Sequence, residues 1–511
     1  MIFRVFACYC LALLSAAASA AVVTLDAGLL EGKQQGGVSR YLGVPYAAPP
    51  VGELRWRAPQ AVSPWRGVRK AHEYADACTQ IGGFFASNDQ ATFDKPYGSE
   101  DCLYLNVWVP ESGAQARPVL VFFHGGSGIA GTAAHPMYDG ETLAKETGAV
   151  VITANYRLGV WGSLQSPALQ TGNAAEDSGS FYLLDMIQVL DWARQNCQPL
   201  GCDPSNITIS GQSAGAVAVL ALLRSPLAEG KFQKAISLSG LPFSASMGEA
   251  EERTDVLLTS LLINDGLAEN KKAAARLLAS MSPEQLRDYL YAKSSEDLLR
   301  ASGRGLYPLA VDDGTVLMAL NKADKLAAKA VSVVPLLIGK TRDEMTTLVP
   351  IKGIGRNANQ LWPLFDGEPR EETINQKLGW FAGLNRGIKI SMSSWALDRR
   401  FKKILDSYAE SLPIMYAYQF EWQPQPRGWG PPAGCPPGSR GRPAPWWQNR
   451  RGPGSLPRSG AGTFPPGWRS CHRLAAGTRG QGCRTTGRFL VGSPHHLLLV
   501  GLPLQDRPGQ A

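Results

Sequence analysis

Apolar residues along this chain fall into short continuous runs separated by stretches of helical spacing. VLVFF (119–123) and AVVITAN (149–155) are uninterrupted and rich in β-branched side chains, as strands buried on both faces are. NITIS (206–210), KAISLSG (234–240) and VVPLLIG (333–339) follow at intervals that leave room for crossover helices, and MYAYQFEW (415–422) closes the series. Between them, FYLLDMIQVLDWARQNC (181–197) places apolar residues at helical spacing. Residues 247–300 read as wholly helical and predict an insertion over the sheet. The alternation predicts an α/β fold, a mostly parallel central sheet with helices on both faces.

The two ends of the chain break this pattern. Residues 1–20, MIFRVFACYCLALLSAAASA, combine Arg4, a short apolar run and the small residues Ala18-Ser19-Ala20. That arrangement predicts a cleavable export signal and a secreted or periplasmic protein. The run is too short for a comfortable membrane span, and no later segment offers about 18 uninterrupted apolar residues, so no stable membrane insertion is expected. Beyond Pro426 the composition changes: Gly and Pro supply 30 of the last 85 residues, with four Trp and three Cys (Cys435, Cys471, Cys483). Disordered tails are usually poor in aromatics and cysteines, so 427–511 reads as atypical, set apart from the signal peptide (1–20) and the α/β body (21–426).

Charge follows the same division. The net charge is +8, yet residues 427–511 alone hold twelve Arg, no Lys and a single acid, Asp506. The first 426 residues carry 39 basic and 42 acidic side chains. The body is mildly acidic and gives no basis for a nucleic-acid partner. Nothing in it suggests a metal or organic cofactor. Export permits disulfides. Cys78 and Cys102 lie 24 positions apart, Cys197 and Cys202 five. A bridge closing the longer loop is worth roughly 3 kcal/mol; four free thiols are the alternative.

The chemistry concentrates in TISGQSAGAV (208–217), which reads as strand, tight turn and apolar helix. The string GQSAG carries little by itself, but this context is what a nucleophile elbow requires. The strained turn lifts the Ser213 hydroxyl above the sheet and aims a helix N-terminus at it. HGGSG (124–128) directly follows the strand VLVFF. A glycine-rich turn there points backbone N–H groups at a developing oxyanion, which makes Gly126, Ser127 and Ala214 the three candidate donors. His124 then belongs to the loop rather than to proton transfer.

Four stretches together resemble the type-B carboxylesterase and cholinesterase family of α/β-hydrolases: YLGVPYAAPPVGELRW (41–56), SEDCLYLNVWVP (99–110), the segment from VFFHGGSGIAGT to ANYRLGVWG (121–162), and ITISGQSAGAVAVLALLRSPLAEGKFQKAISLSG (207–240). A fifth, PLLIGKTRDEMT (335–346), is similar to the stretch that carries the family's acidic triad member, which implies Glu344 in that role. The resemblance covers about residues 21–426. It implies an α/β-hydrolase fold and hydrolysis of a small-molecule carboxylic ester through an acyl-enzyme on Ser213. It further implies a Cys78–Cys102 disulfide and buried ion pairs of Arg55 with Glu100 and Arg157 with Asp185. Two positions depart from the family pattern: Gln212, where a Glu is usual, and Ser127, in place of a third glycine.

The third departure concerns the base. The order in α/β-hydrolases is serine, acid, histidine. His72, His124 and His135 all precede Ser213, and no histidine lies between Gln423 and Ser470, where the resemblance implies a motif like HGAEL. His472, in SCHRLAA, is the remaining candidate; His495 and His496, in SPHHLLL, do not resemble the motif either. One hypothesis explains both the absent histidine and the strange tail: a shift of reading frame near codon 426. GC-rich DNA read out of frame yields Arg, Gly and Pro and loses Lys. The sequence therefore predicts a serine carboxylesterase by ancestry. The alternative is a catalytically incomplete, esterase-like binding or adhesion protein.

Overall fold

Fourteen strands occur in chain order in the computed structural model, which describes residues 20–113, 115–303, 310–318, 330–341, 344, 380–420 and 472–474. The expected signal peptide except Ala20, all of the tail but three residues, and Cys435, Cys471, Cys483, His495 and His496 lie outside the described residues. The first six strands are β1 (Ala20–Leu25), β2 (Gly28–Gln35), β3 (Val38–Pro45), β4 (Val68–Lys70), β5 (Gln80–Ile81) and β6 (Pro96–Tyr97). Next come β7 (Tyr104–Pro110), β8 (Arg117–Phe123), β9 (Val150–Ala154), β10 (Cys202–Gln212) and β11 (Lys234–Leu238). The last three are β12 (Leu336–Thr341), β13 (Met415–Phe420) and β14 (His472–Leu474).

All but β5 and β6 form one twelve-stranded sheet, ordered β1-β2-β3-β7-β9-β8-β10-β11-β12-β13-β14, with β4 beside β2. The six strands from β9 to β13 are parallel, and they are the six apolar runs picked out in the sequence. Their continuity has a simple cause: β8, β9 and β10 are covered on both faces, and every residue of β9 is buried. The N-terminal part differs, because β1, β2, β3, β7 and β9 pair antiparallel. Strand β1 shows the expected reason, with Ala21, Val23 and Leu25 buried and Val22 exposed in strict alternation.

Helix Phe181–Gln195 and the insertion over 247–302 form where helical spacing predicts them. The insertion resolves into four helices: Met247–Asn264, Lys271–Ser280, Pro283–Tyr291 and Ser295–Ser302. Three of them begin with a capping box, Ser246 with Glu249, Ser282 with Gln285 and Ser294 with Asp297, which satisfies the first free amides. A long helix, Trp380–Ser411, was not legible as such in the sequence.

Both disulfides form, Cys78–Cys102 and Cys197–Cys202, each with Cα atoms 4.9 Å apart. Both ion pairs implied by the resemblance are present. Arg55 meets Glu100 at 2.6 Å, and Arg157 grips Asp185 with two guanidinium nitrogens at 2.7 and 2.8 Å. A further buried pair, Arg224 with Asp312 at 2.7 Å, was not anticipated.

Candidate active site

Four adjacent parallel strands deliver the candidate residues to one end of the sheet. The loop His124–Gly128 leaves β8, Ser213 leaves β10, Ser239 leaves β11, and Glu344 follows β12. The register aligns these exits: Gly211 pairs with Phe123, Gln212 with Leu238, and Leu238 with Gly339. Ligands in such sheets bind outside the carboxyl ends of the strands.

Ser213 sits at φ 53°, ψ −116°, immediately before the helix Ala214–Arg224. Its amide donates to Leu238 O at 2.8 Å, which pins the turn to the neighbouring strand. The small residues on either side are there because backbone passes so close. A Cβ on Gly211 would lie 2.3 Å from Gly215 O, and one on Gly215 would lie 2.1 Å from Phe123 O. The helix is apolar up to its last residue, Arg224, and buried over nearly all its length, so it enters the core directly beneath the serine.

The loop His124–Gly128 lies against this elbow. A Cβ on Gly125 would come within 2.4 Å of Gln212 Oε1 and 3.2 Å of Ser213 Cβ. Gly126, Ser127 and Gly128 all take positive φ, at 107°, 58° and 67°. Gly126 O accepts from the Ile129 and Ala130 amides, which closes the turn that follows the amides of residues 126 and 127. Among the described residues neither of them, nor that of Ala214, donates a hydrogen bond to another protein group. Among the described residues, three of the six non-glycine residues with positive φ are Ser127, Ser213 and Ser239. Backbone strain collected at one spot in this way is a mark of a functional site.

Glu344 is half-buried, and its Oε2 gathers three donors: Ser239 Oγ at 2.8 Å, Thr341 Oγ1 at 2.8 Å and Thr341 N at 2.9 Å. Sequence reasoning missed Ser239 and Thr341. The only signal for them was their position at strand ends, in KAISLSG and IGKTRDE.

The described histidines are elsewhere. His124 is 1% exposed, stacked on Tyr156 with ring centroids 4.5 Å apart, and its Nδ1 lies 2.8 Å from Gly125 O. Burial drives its pKa down to about 4, so the ring is neutral and structural. His135 lies 3.0 Å from Phe84 O through Nε2, and burial lowers its pKa as well. His72 meets Glu31 at 3.1 Å in the N-terminal half of the sheet. As for His472, β14 pairs antiparallel with β13 and sets this residue opposite Ala417. Four strand spacings separate β14 from β10, roughly 19 Å. That register does not bring His472 to Ser213. No group of three or more His, Cys, Asp or Glu capable of holding a metal ion occurs among the described residues.

The class is that of the α/β-hydrolase fold. The chain resembles a solved PNB esterase with a TM-score of 0.61 and 29% identity, covering 79% of this chain and 80% of that one. It also resembles a Geobacillus stearothermophilus carboxylesterase at pH 6.2, with a TM-score of 0.59, 29% identity and the same coverage. Residues 19–414 match the carboxylesterase family, and the chain belongs to it. It is 36% identical over 327 residues to the para-nitrobenzyl esterase of Bacillus subtilis (strain 168), covering 63% of each chain. It is 35% identical over 338 residues to the fumonisin B1 esterase of Sphingopyxis macrogoltabida, covering 64% of this chain and 58% of that one. The chain thus spans a little under two thirds of the length of the curated relatives it matches.

Proposed function

We propose that the chain is an exported hydrolase of small-molecule carboxylic esters that works through an acyl-enzyme on Ser213. The observation that carries this reading is the strained serine, at φ 53°, set between a helix N-terminus and the glycine-rich loop after β8. In this reading Ser213 Oγ attacks the ester carbonyl, and the amides of Gly126, Ser127 and Ala214 hold the oxyanion. The alcohol leaves, and water then releases the acyl group. Glu344 orients an imidazole and stabilises its charged form. The esterases to which the chain is similar support the reaction class without selecting an ester. Two disulfides are compatible with export.

The base itself is the gap in this scheme. Our hypothesis of a frame shift near codon 426 draws support from the family match, which runs to residue 414. Sequencing the gene from codon 400 to the stop and translating all three frames tests it. A His-Gly motif in another frame sustains the hypothesis, and its absence in every frame removes it. The second reading is a catalytically incomplete, esterase-like binding or adhesion protein. It is favoured by the positions of His72, His124, His135 and His472, none of which is brought to Ser213.

The two readings separate on one experiment. The protein is incubated with p-nitrophenyl butyrate and its peptides are weighed by mass spectrometry. A butyryl group on the Ser213 peptide, absent in Ser213→Ala, is the expected result. An unmodified Ser213 after prolonged exposure would defeat the hydrolase reading.

A further inference from the structure

We infer that Gln80 is a positioning residue for acylation of Ser213: from the disulfide-closed loop 78–102 it grips Gly131 and so holds the loop His124–Gly128 against the serine. The inference rests on the ester-hydrolase reading above and names a residue on which that chemistry depends from a distance.

Gln80 is 1% exposed, and both hydrogens of its Nε2 and its Oε1 are bonded. The Oε1 accepts from Gly131 N–H at 2.7 Å, and Nε2 donates to Gly131 O at 2.8 Å. The second Nε2 hydrogen goes to Cys78 O, also at 2.8 Å. The carboxamide thus pairs with the Gly131 backbone as a residue of an opposing strand would. A buried amide satisfied in this way fixes both partners, because any shift leaves a polar group unpaired away from water.

Gln80 is itself held from the other side. It belongs to β5, where it pairs with Tyr97 of β6, and Cys78–Cys102 closes the loop around both strands. A second buried amide, Asn155, makes a parallel tie. Its Nδ2 donates to Asp76 O at 2.9 Å, and its Oδ1 accepts from Ala133 N–H at 2.8 Å. Residues 131 and 133 are therefore fastened to the neck of the disulfide loop by two side chains.

Gly131 passes its position on to the elbow through backbone contact. A Cβ there would lie 2.4 Å from His124 Nδ1 and 2.6 Å from Gly125 O. Ala130 N–H donates to Gly126 O at 3.0 Å, and a Cβ on Gly126 would lie 2.0 Å from Ala130 O. On the far side, a Cβ on Gly125 would come within 3.2 Å of Ser213 Cβ. The path from Gln80 to Ser213 runs through two glycines, with no rotatable side chain to absorb a shift. A displacement of Gly131 then moves the amides of residues 126 and 127, to which the hydrolase reading gives the oxyanion. Misplacing such groups by about 1 Å can cost about a hundredfold in rate.

The test is acylation of the full chain by p-nitrophenyl butyrate, followed as p-nitrophenolate with the Ser213→Ala protein subtracted. It is compared with Gln80→Met, which keeps the volume and removes all three bonds, and with Asn196→Leu. Asn196 is a buried amide too, bonded to Asp26 N–H and Trp192 O beside the Cys197–Cys202 bridge. Gln80→Met should lower the limiting acylation rate about 10–100-fold, with the half-saturating ester concentration unchanged within about twofold. Hydrogen exchange over residues 122–134 should quicken in the same variant. Asn196→Leu should do neither. If Gln80→Met fails to fold, Gln80→Glu is held to the same figures, since its carboxylate has no hydrogen to give Gly131 O. A parental rate in the Gln80 variant, a change in half-saturation alone, or unchanged exchange over 122–134 overturns the inference. Equal slowing in Asn196→Leu also overturns it, because loss of any buried amide would then suffice. Each of these results leaves the hydrolase reading standing. A parent protein that never acylates Ser213 defeats the hydrolase reading, and the inference with it.

Discussion

Gly215 shows how little freedom a single position has at the elbow. A methyl group there would meet Phe123 O at 2.1 Å and His124 O at 2.7 Å, both backbone atoms that cannot rotate away. Gly215→Ala should cost about 1–3 kcal/mol, read as a lower denaturation midpoint. It should also reduce acylation of Ser213 by prising the loop His124–Gly128 from the turn. His124, on the other side of this contact, makes the fold sensitive to pH. The unfolded chain takes up the proton below about pH 6.5, whereas the buried ring resists it until about 4. The stability this supplies is complete above pH 6.5 and is lost as pH falls through that window, by up to about 3 kcal/mol. Urea midpoints measured from pH 7 to 4 should therefore drop less steeply in His124→Asn than in the parent. Burial lowers the pKa of His135 too, so some slope should survive in the variant.

At the scale of elements, the covalent and ionic ties fasten the same sheet at different points. Cys78–Cys102 closes the long loop that contains β5 and β6, while Cys197–Cys202 joins the end of helix Phe181–Gln195 to the start of β10. Loop-closure entropy makes the first worth about 3 kcal/mol and the second about 2. Replacing each pair by alanine and comparing guanidinium midpoints should reproduce that order. Arg157 and Asp185 are 3% and 0% exposed, and they link the segment after β9 to the same helix. Arg157→Met strands a buried carboxylate, so a loss of about 3–5 kcal/mol is expected from the same measurement. The double replacement Arg157→Met with Asp185→Leu should recover much of it, because the desolvation cost disappears along with the attraction.

At the scale of the whole molecule, charge is divided by segment: the +8 of the chain becomes 39 basic against 42 acidic groups once residues 427–511 are left out. A protein ending at residue 426 should accordingly focus on the acidic side of neutrality, where the full chain has a pI near 9.0, and denaturing isoelectric focusing checks this. Much of the fold was legible before any coordinates. Buried parallel strands announce themselves as unbroken apolar runs, and GQSAG between a strand and an apolar helix announces a turn that only small neighbours permit. The antiparallel N-terminal strands lie outside that series of apolar runs. The helix Trp380–Ser411 stayed hidden as well, since polar and apolar residues mix along it without a strong stripe. The sequence by itself determined which residues can do chemistry, because elbow, glycine loop and acid are each local patterns a few residues long. Only the tertiary structure decided which of them meet. Ser239 and Thr341 converge on Glu344, and Gly125 closes on Gln212, while His124 turns inward and His472 falls beside Ala417. Those outcomes depend on the register between strands far apart in the chain, and register is fixed by the packing of the whole sheet.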